Sequence, residues 1–233
     1  MCTSFINRKN NLLTAMNFDN NGMPFNIVKN SKHFIVYVDG GRGEHPSFGV
    51  NSNGTFINNL FVNSNGKGLY KRAGKKVTHT SKLVSDILSA SILPCDINSY
   101  LENIEVVNVP DFSTHNMIVE KSGNVWIVEP GRGVIHNSAD EAPYFIMTNF
   151  SLCDMMEKKE LNDDGMLRYK TAKTLLDKKN NLDVNSAFQI LDAVKQSEGS
   201  WTTVLSMVYS QKENAVYYCF ERDFENILKH SFE

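Results

Sequence analysis

The chain has 233 residues, with 24 Lys and Arg against 26 Asp and Glu for a formal net charge of -2, and 41% of it is hydrophobic. That length buries a full core as a single domain over 1–233, and the interspersed charges leave no basic face for nucleic acid or an anionic membrane. Neither the roughly 18-residue apolar run of a membrane span nor the charged-then-apolar start of a secretion signal is present, so a cytoplasmic location is expected.

The chain opens Met1-Cys2-Thr3-Ser4-Phe5-Ile6. A residue as small as Cys permits removal of the initiator methionine, so residue 1 is expected to be lost, and Cys2 would then carry a thiol and an α-amine on one Cα. A thiol needs a base before it attacks a carbonyl, and an α-amine titrating near about 7.7 to 8.0 supplies one at neutral pH. The remaining cysteines, Cys95, Cys153 and Cys219, show no CxxC spacing and read as buried hydrophobes. The six histidines show no HxxH or HExxH spacing, so no metal and no cofactor is expected. His115 reads as a structural hydrogen-bonding residue.

Residues 2–62 read as strands, among them Leu12–Phe18 and the run from His33 to Val38. Gly40–Gly43 lacks a following Gly-Lys-Ser/Thr and is read as a turn, while Asn53-Gly54 predicts a two-residue hairpin with both φ angles positive. Residues 63–80, rich in Asn, Gly and Lys, read as a long loop. Two helices follow, with Leu83, Val84, Ile87 and Leu88 on one apolar face and Ile97, Tyr100, Leu101 and Ile104 on the next, Asp96 being its expected N-cap. Strand character returns at 116–119, 125–128 and 144–148. Helices are expected at 164–178 and at 184–196, the second capped by Asp183, and the last strands run 204–209 and 215–220. Strands and helices occur in groups rather than alternating singly, which implies an α+β fold of two stacked antiparallel sheets between helical layers, an αββα arrangement.

Taken singly, Asp19 reads as a turn residue before Asn20-Asn21-Gly22, Asn149 as a strand-end asparagine, and Arg168 as a solvated arginine in a first helical turn. Taken in order, Met1-Cys2-Thr3, Asn17-Phe18-Asp19, Asn51-Ser52-Asn53-Gly54, Met147-Thr148-Asn149, Met166-Leu167-Arg168-Tyr169 and the 202–210 strand form a pattern. It resembles the choloylglycine hydrolase family of N-terminal-nucleophile (Ntn) hydrolases, which includes bile salt hydrolases and penicillin V acylases. Trp201-Thr202-Thr203-Val204 also resembles the isopenicillin N acyltransferase branch.

The resemblance implies that Cys2 is nucleophile and, through its freed amine, base, and that Asp19 orients that pair. It also implies that Asn149 and the backbone N–H of Phe61 stabilise the oxyanion, and that Arg168 favours the thiolate. Phe61 would further wall the substrate pocket. Met16 departs from the pattern by replacing the family's arginine beside the nucleophile, which implies a more apolar substrate pocket. The expected activity is hydrolysis of a linear amide of a small-molecule acyl amide through a thioester. The alternatives are transfer of the acyl group to an amine and a non-catalytic ligand-binding homologue. No nucleic acid or membrane partner is expected, and homo-oligomerisation is left open.

Overall fold

The computed structural model describes residues 2–159 and 165–232. Its strands are β1 (Thr3–Asn7), β2 (Leu13–Asn20), β3 (Phe25–Lys29), β4 (His33–Asp39), β5 (Glu44–Asn51), β6 (Phe56–Phe61), β7 (Val77–His79), β8 (Glu105–Val107), β9 (Thr114–Val119), β10 (Val125–Glu129), β11 (Gly133–Asn137), β12 (Tyr144–Met147), β13 (Thr202–Ser210), β14 (Ala215–Phe220) and β15 (Leu228–Ser231). The helices are α1 (Thr80–Leu88), α2 (Ile97–Asn103), α3 (Leu152–Met156), α4 (Met166–Lys178) and α5 (Val184–Ala193).

Among these residues the strands form two large antiparallel sheets. One has six strands in the order β12-β1-β2-β13-β14-β15, and the other has seven in the order β11-β10-β9-β6-β5-β4-β3. Successive side chains on a strand point to opposite faces, and this alternation builds the layers. From the first sheet, Ile6, Met16, Phe18, Leu205 and Met207 point inward and pack against Phe34, Val36, Phe48, Phe56 and Met117 of the second. The intervening residues Phe5, Leu13, Ala15 and Val208 point outward and are covered by Ala172 and Leu176 of α4 and by Ala187, Phe188 and Leu191 of α5. On the far side, Ile35, Ile57, Ile118 and Trp126 are covered by Leu83, Val84, Ile87 and Leu88 of α1 and Ile97 of α2. The result is the four-layer αββα sandwich expected from the grouping of the elements.

Several local expectations are corrected. The 53–54 turn is a three-residue loop in which only Gly54 has positive φ, at +82°. Asn51 sets it. Its carbonyl accepts from Gly54 at 2.9 Å, its N–H donates to Thr55 at 3.0 Å, and its side-chain oxygen accepts from the N–H groups of Asn53 and Thr55. A type I turn closed by a left-handed glycine meets those bonds without a second positive φ. The 63–80 segment is not all loop, because β7 pairs in parallel with β8 and α1 begins at Thr80. Asp96 makes no side-chain cap, since Pro94 has already started a 3-10 turn (Pro94–Asp96) that places Asp96 in the helical region. Ile104 is extended and leads out of α2.

Asp183 does cap α5, accepting from Ser186 N–H at 2.7 Å, but the helix ends at Ala193. The start of the 164–178 helix falls at Met166, residue 164 lying outside the described residues. Cys219 is buried as expected, whereas Cys153 is half-buried on α3 and Cys95 is exposed in the 3-10 turn. Neither of those two sits on a sheet face, where alternation would have buried it.

Candidate active site

Cys2 leads into β1, and Asp19 lies near the end of β2, the neighbouring strand. Their register, with Thr3 opposite Asn17, brings the two ends together, and the Cys2 Sγ lies 3.8 Å from the Asp19 carbonyl oxygen, to which it donates. The Asp19 carboxylate is fully enclosed and is held from the far side. Thr203 Oγ1 donates to its Oδ1 at 2.5 Å, and Gln196 Nε2 to its Oδ2 at 2.6 Å. The pairing of β2 with β13 shifts register between Thr203 and Leu205, and this bulge falls directly opposite Asp19. Bulges re-aim side chains in this way beside functional sites. Burial raises the Asp19 pKa, opposed by the amino-terminal charge, the Thr203 hydroxyl, Arg168 and Gln196.

The third residue of α4, Arg168, reaches across these strand ends. Its Nη1 donates to the Cys2 carbonyl at 2.6 Å and to Thr3 Oγ1 at 2.8 Å, and lies 3.8 Å from Asp19 Oδ2. Its Nη2 donates to Asn149 Oδ1 at 2.9 Å. A guanidinium can only donate, so this contact fixes which end of the Asn149 amide is oxygen. Asn149 Nδ2 then donates one hydrogen to the Phe61 carbonyl at 2.7 Å, and its second hydrogen is available to a further acceptor. Gly165, at φ +85°, makes the turn into α4. A Cβ there would fall 2.7 Å from Thr148 Oγ1 and 2.9 Å from Asn149 N, so only glycine brings Arg168 this close to Asn149.

At Phe61 the backbone geometry follows from the ladder. Val62 donates its N–H to Ser113 at 3.0 Å. By the alternation of antiparallel bonds, the Phe61 N–H therefore points the other way, towards β5, whose pairing with β6 stops at Phe48–Asn58.

Cys2 opens onto an apolar cavity lined by Phe18, Met23, Val38, Phe61, Phe112 and Trp201, with Asp19 also at its wall. Phe61 stacks edge-on against Trp201 at 5.3 Å between ring centroids and packs on Phe112 at 5.4 Å. Beyond Phe61 a second groove, more polar, is bordered by Asn63, Ser64, Asp111, Ser113 and Asn149. Met16 is buried in the interlayer core, opposite Ser4 on β1 and Met207 on β13. The neighbour on the same face of β2 that meets the cavity is Phe18, so the apolar wall expected of Met16 is supplied by Phe18.

Thus Cys2, Asp19, Asn149, Arg168 and Phe61, spread over 167 positions of sequence, converge. Thr203, Gln196 and the pocket residues Phe112 and Met23 were not legible from the sequence. Gln196, expected at the end of the 184–196 helix, lies in the loop after α5, Phe112 sits in a loop without periodicity, and the position of Thr203 opposite Asp19 exists only once β2 and β13 pair. The burial of Cys2 pushes its thiol up to about 11, against a lowering by the amino-terminal charge and, more weakly, by Arg168.

A separate polar cluster lies beneath Asn149. His115, fully buried on β9, contacts Glu129 Oε1 through Nδ1 at 3.0 Å and the Thr148 carbonyl through Nε2 at 2.9 Å. Glu129 also accepts from the Leu152 N–H at 2.9 Å and from the Ser151 hydroxyl, closing the start of α3. Burial alone would raise the Glu129 pKa, but the His115 hydrogen bond and charge, Ser151 and the Leu152 N–H together hold it down at about 2. A carboxylate depressed in this way contributes stability above its unfolded value, near 4.5, that is lost as pH falls towards 2. Urea unfolding at pH 7, 4 and 3 is expected to show this loss, and in Glu129→Gln the same pH steps should cost correspondingly less.

Among the described residues, no group of three or more His, Cys, Asp or Glu is placed to hold a metal ion, and no helix is long and apolar enough to cross a membrane.

Two antiparallel sheets between helical layers match, as a fold, the αββα sandwich of the Ntn hydrolases. The chain is similar in structure to a mutant of the conjugated bile acid hydrolase from Clostridium perfringens, with a TM-score of 0.71 at 13% identity over 99% of this chain and 92% of that one. It is also similar to the penicillin V acylase from Agrobacterium tumefaciens, at 0.67 and 15% over 95% and 83%. A third likeness is to the Caenorhabditis elegans ortholog of the N-acylethanolamine-hydrolyzing acid amidase, at 0.62 and 14% over 90% and 93%. No family model and no curated protein sequence matches the chain. At this identity the likeness is one of fold.

Proposed function

We propose that this protein is an N-terminal cysteine amidase that hydrolyses the linear C–N bond of a small acyl amide. The observation that carries the reading is the single Arg168 guanidinium bonded at once to the Cys2 carbonyl, Thr3 and Asn149, which ties the nucleophile at the apolar cavity to an amide donor on the adjoining groove.

After loss of Met1, the Cys2 α-amine takes the thiol proton and the sulfur bonds to the substrate carbonyl carbon. Asn149 Nδ2 and the Phe61 N–H donate to the oxygen as it becomes anionic. The tetrahedral adduct collapses, the C–N bond breaks, and the departing amine takes the proton from the α-ammonium. Water, deprotonated by the same amine, then cleaves the thioester to the free acid and restores the thiol. Asp19, held by Thr203 and Gln196, orients the amine through the reaction. The acyl group occupies the apolar cavity and the amine half the polar groove beyond Phe61. The fold likeness to three amide-cleaving enzymes supports the reading.

The test is a panel of uncharged acyl amides, penicillin V and conjugated bile acids, assayed for free amine and free acid beside intact mass of the same preparation. Stoichiometric release of both products by protein lacking Met1, with the more apolar acyl groups cleaved faster, is expected. Absence of amine release from every member by fully processed protein would overturn the proposal.

A further inference from the structure

We propose that His115, clamped between Glu129 and the Thr148 carbonyl, is a positioning residue that sets the place of the Asn149 amide, the inference resting on the amidase reading above.

The argument is one of donors and acceptors. The Thr148 carbonyl can only accept, so His115 Nε2 must carry a hydrogen. Glu129, held well below the usual carboxylate range by these partners, is ionised and has no hydrogen to give, so Nδ1 also donates. The ring therefore has hydrogens on both nitrogens, and it pairs with Glu129 where neither side chain is exposed to water. A charged pair in such a place is costly unless geometry is tight and every polar atom is met, which is the case here.

What the pair grips is the backbone leading into Asn149. Glu129 holds the residues after it, 151 and 152, and His115 holds the carbonyl of the residue before it. Thr148 Oγ1 further donates to the Gly165 carbonyl at 3.2 Å, which ties the same peptide to the turn that launches Arg168. The 148–152 segment is thereby pinned on both sides of Asn149 by groups rooted in β9 and β10, paired interior strands of the second sheet. An oxyanion donor stabilises the transition state only if held before the charge forms, and a misplacement of about 1 Å can cost about 100-fold. His115 thus reaches the reaction through Asn149, without itself lining the cavity.

The test separates positioning from mere support of the fold. Alkylation of Cys2 by iodoacetamide requires the thiolate but no oxyanion donor, whereas amide cleavage requires both. In His115→Gln, which can replace one of the two bonds but not both, kcat is expected to fall at least about tenfold, while KM and the alkylation rate stay within about twofold. An unchanged kcat, or alkylation falling in step with turnover, would overturn the proposal. Should that variant not fold, Glu129→Gln takes its place in the same three measurements. In the unsubstituted protein, ¹⁵N NMR of His115 should report hydrogens on both ring nitrogens, and a single-hydrogen tautomer would refute the clamp directly. If the parent cleaves no amide the amidase reading fails by itself. The positioning claim is then decided by the Asn149 side-chain NH2 signals, which should move in His115→Gln and which, if unmoved, would sink it.

Discussion

Protein carrying an uncleaved residue ahead of Cys2 is expected to be inactive on amides, and Cys2→Ala in the processed chain is expected to lose turnover altogether. The reason lies in burial. With burial raising the thiol to about 11, little of it is thiolate at pH 7, too little for attack without an adjacent base. Arg168 lowers the thiol only weakly beside the effect of burial, while it bonds the Cys2 carbonyl, Thr3 and Asn149. An acylated α-nitrogen cannot accept a proton, so extension removes the base while leaving the fold intact. The pH dependence follows in sign. In the extended chain, iodoacetamide alkylation of Cys2 should climb about tenfold per pH unit from 7 towards 10, whereas in the processed chain it should level off near the amine's own titration, about 8. Turnover by an extended chain at the processed rate would end the α-amine mechanism.

Asn149→Ala is expected to lower kcat by about 10² to 10³, the loss of about 2.7 to 4 kcal/mol associated with one oxyanion donor. KM should change little if the amide acts only as charge develops. The substitution also leaves Arg168 Nη2 and the Phe61 carbonyl without their Asn149 partner. A stability loss of about 1 to 3 kcal/mol should therefore accompany it. Asn149→Asp separates the two effects. It keeps an acceptor for Arg168 and removes the donor, so it should restore part of the stability and none of the rate. An Asp variant as active as the parent would remove Asn149 from the oxyanion site.

The layered fold was readable because its signals are local. Grouping of strands and helices, the stripe of Leu83, Val84, Ile87 and Leu88, and the Asp183 cap all depend on residues within a few positions of one another, and each is found where the pattern put it. The errors were equally local in origin. The Asn53-Gly54 pair matched a hairpin dipeptide, but Asn51 outside that pair decided the turn. The edge and short strands β8, β11 and β15 carry no clear sequence signal because each is short and largely exposed, with too little alternation to stand out.

By itself the sequence determined the layer order, the cysteine directly after Met1, and five widely separated residues whose order resembled a known pattern. Only the tertiary structure decided which of them meet, and how. Pairing of β1 with β2 brings Asp19 beside Cys2, and the bulge in β13 turns Thr203 onto it. A glycine turn lets Arg168 reach Asn149. It is likewise the pleat that buries Met16 in the core and gives Phe18 the cavity wall. The division has a physical cause. Periodicity and turn chemistry act over a few residues, while the direction of a side chain at a site is set by register and strand crossings between segments far apart in the chain, and a one-residue change of register would point each of them to the other face.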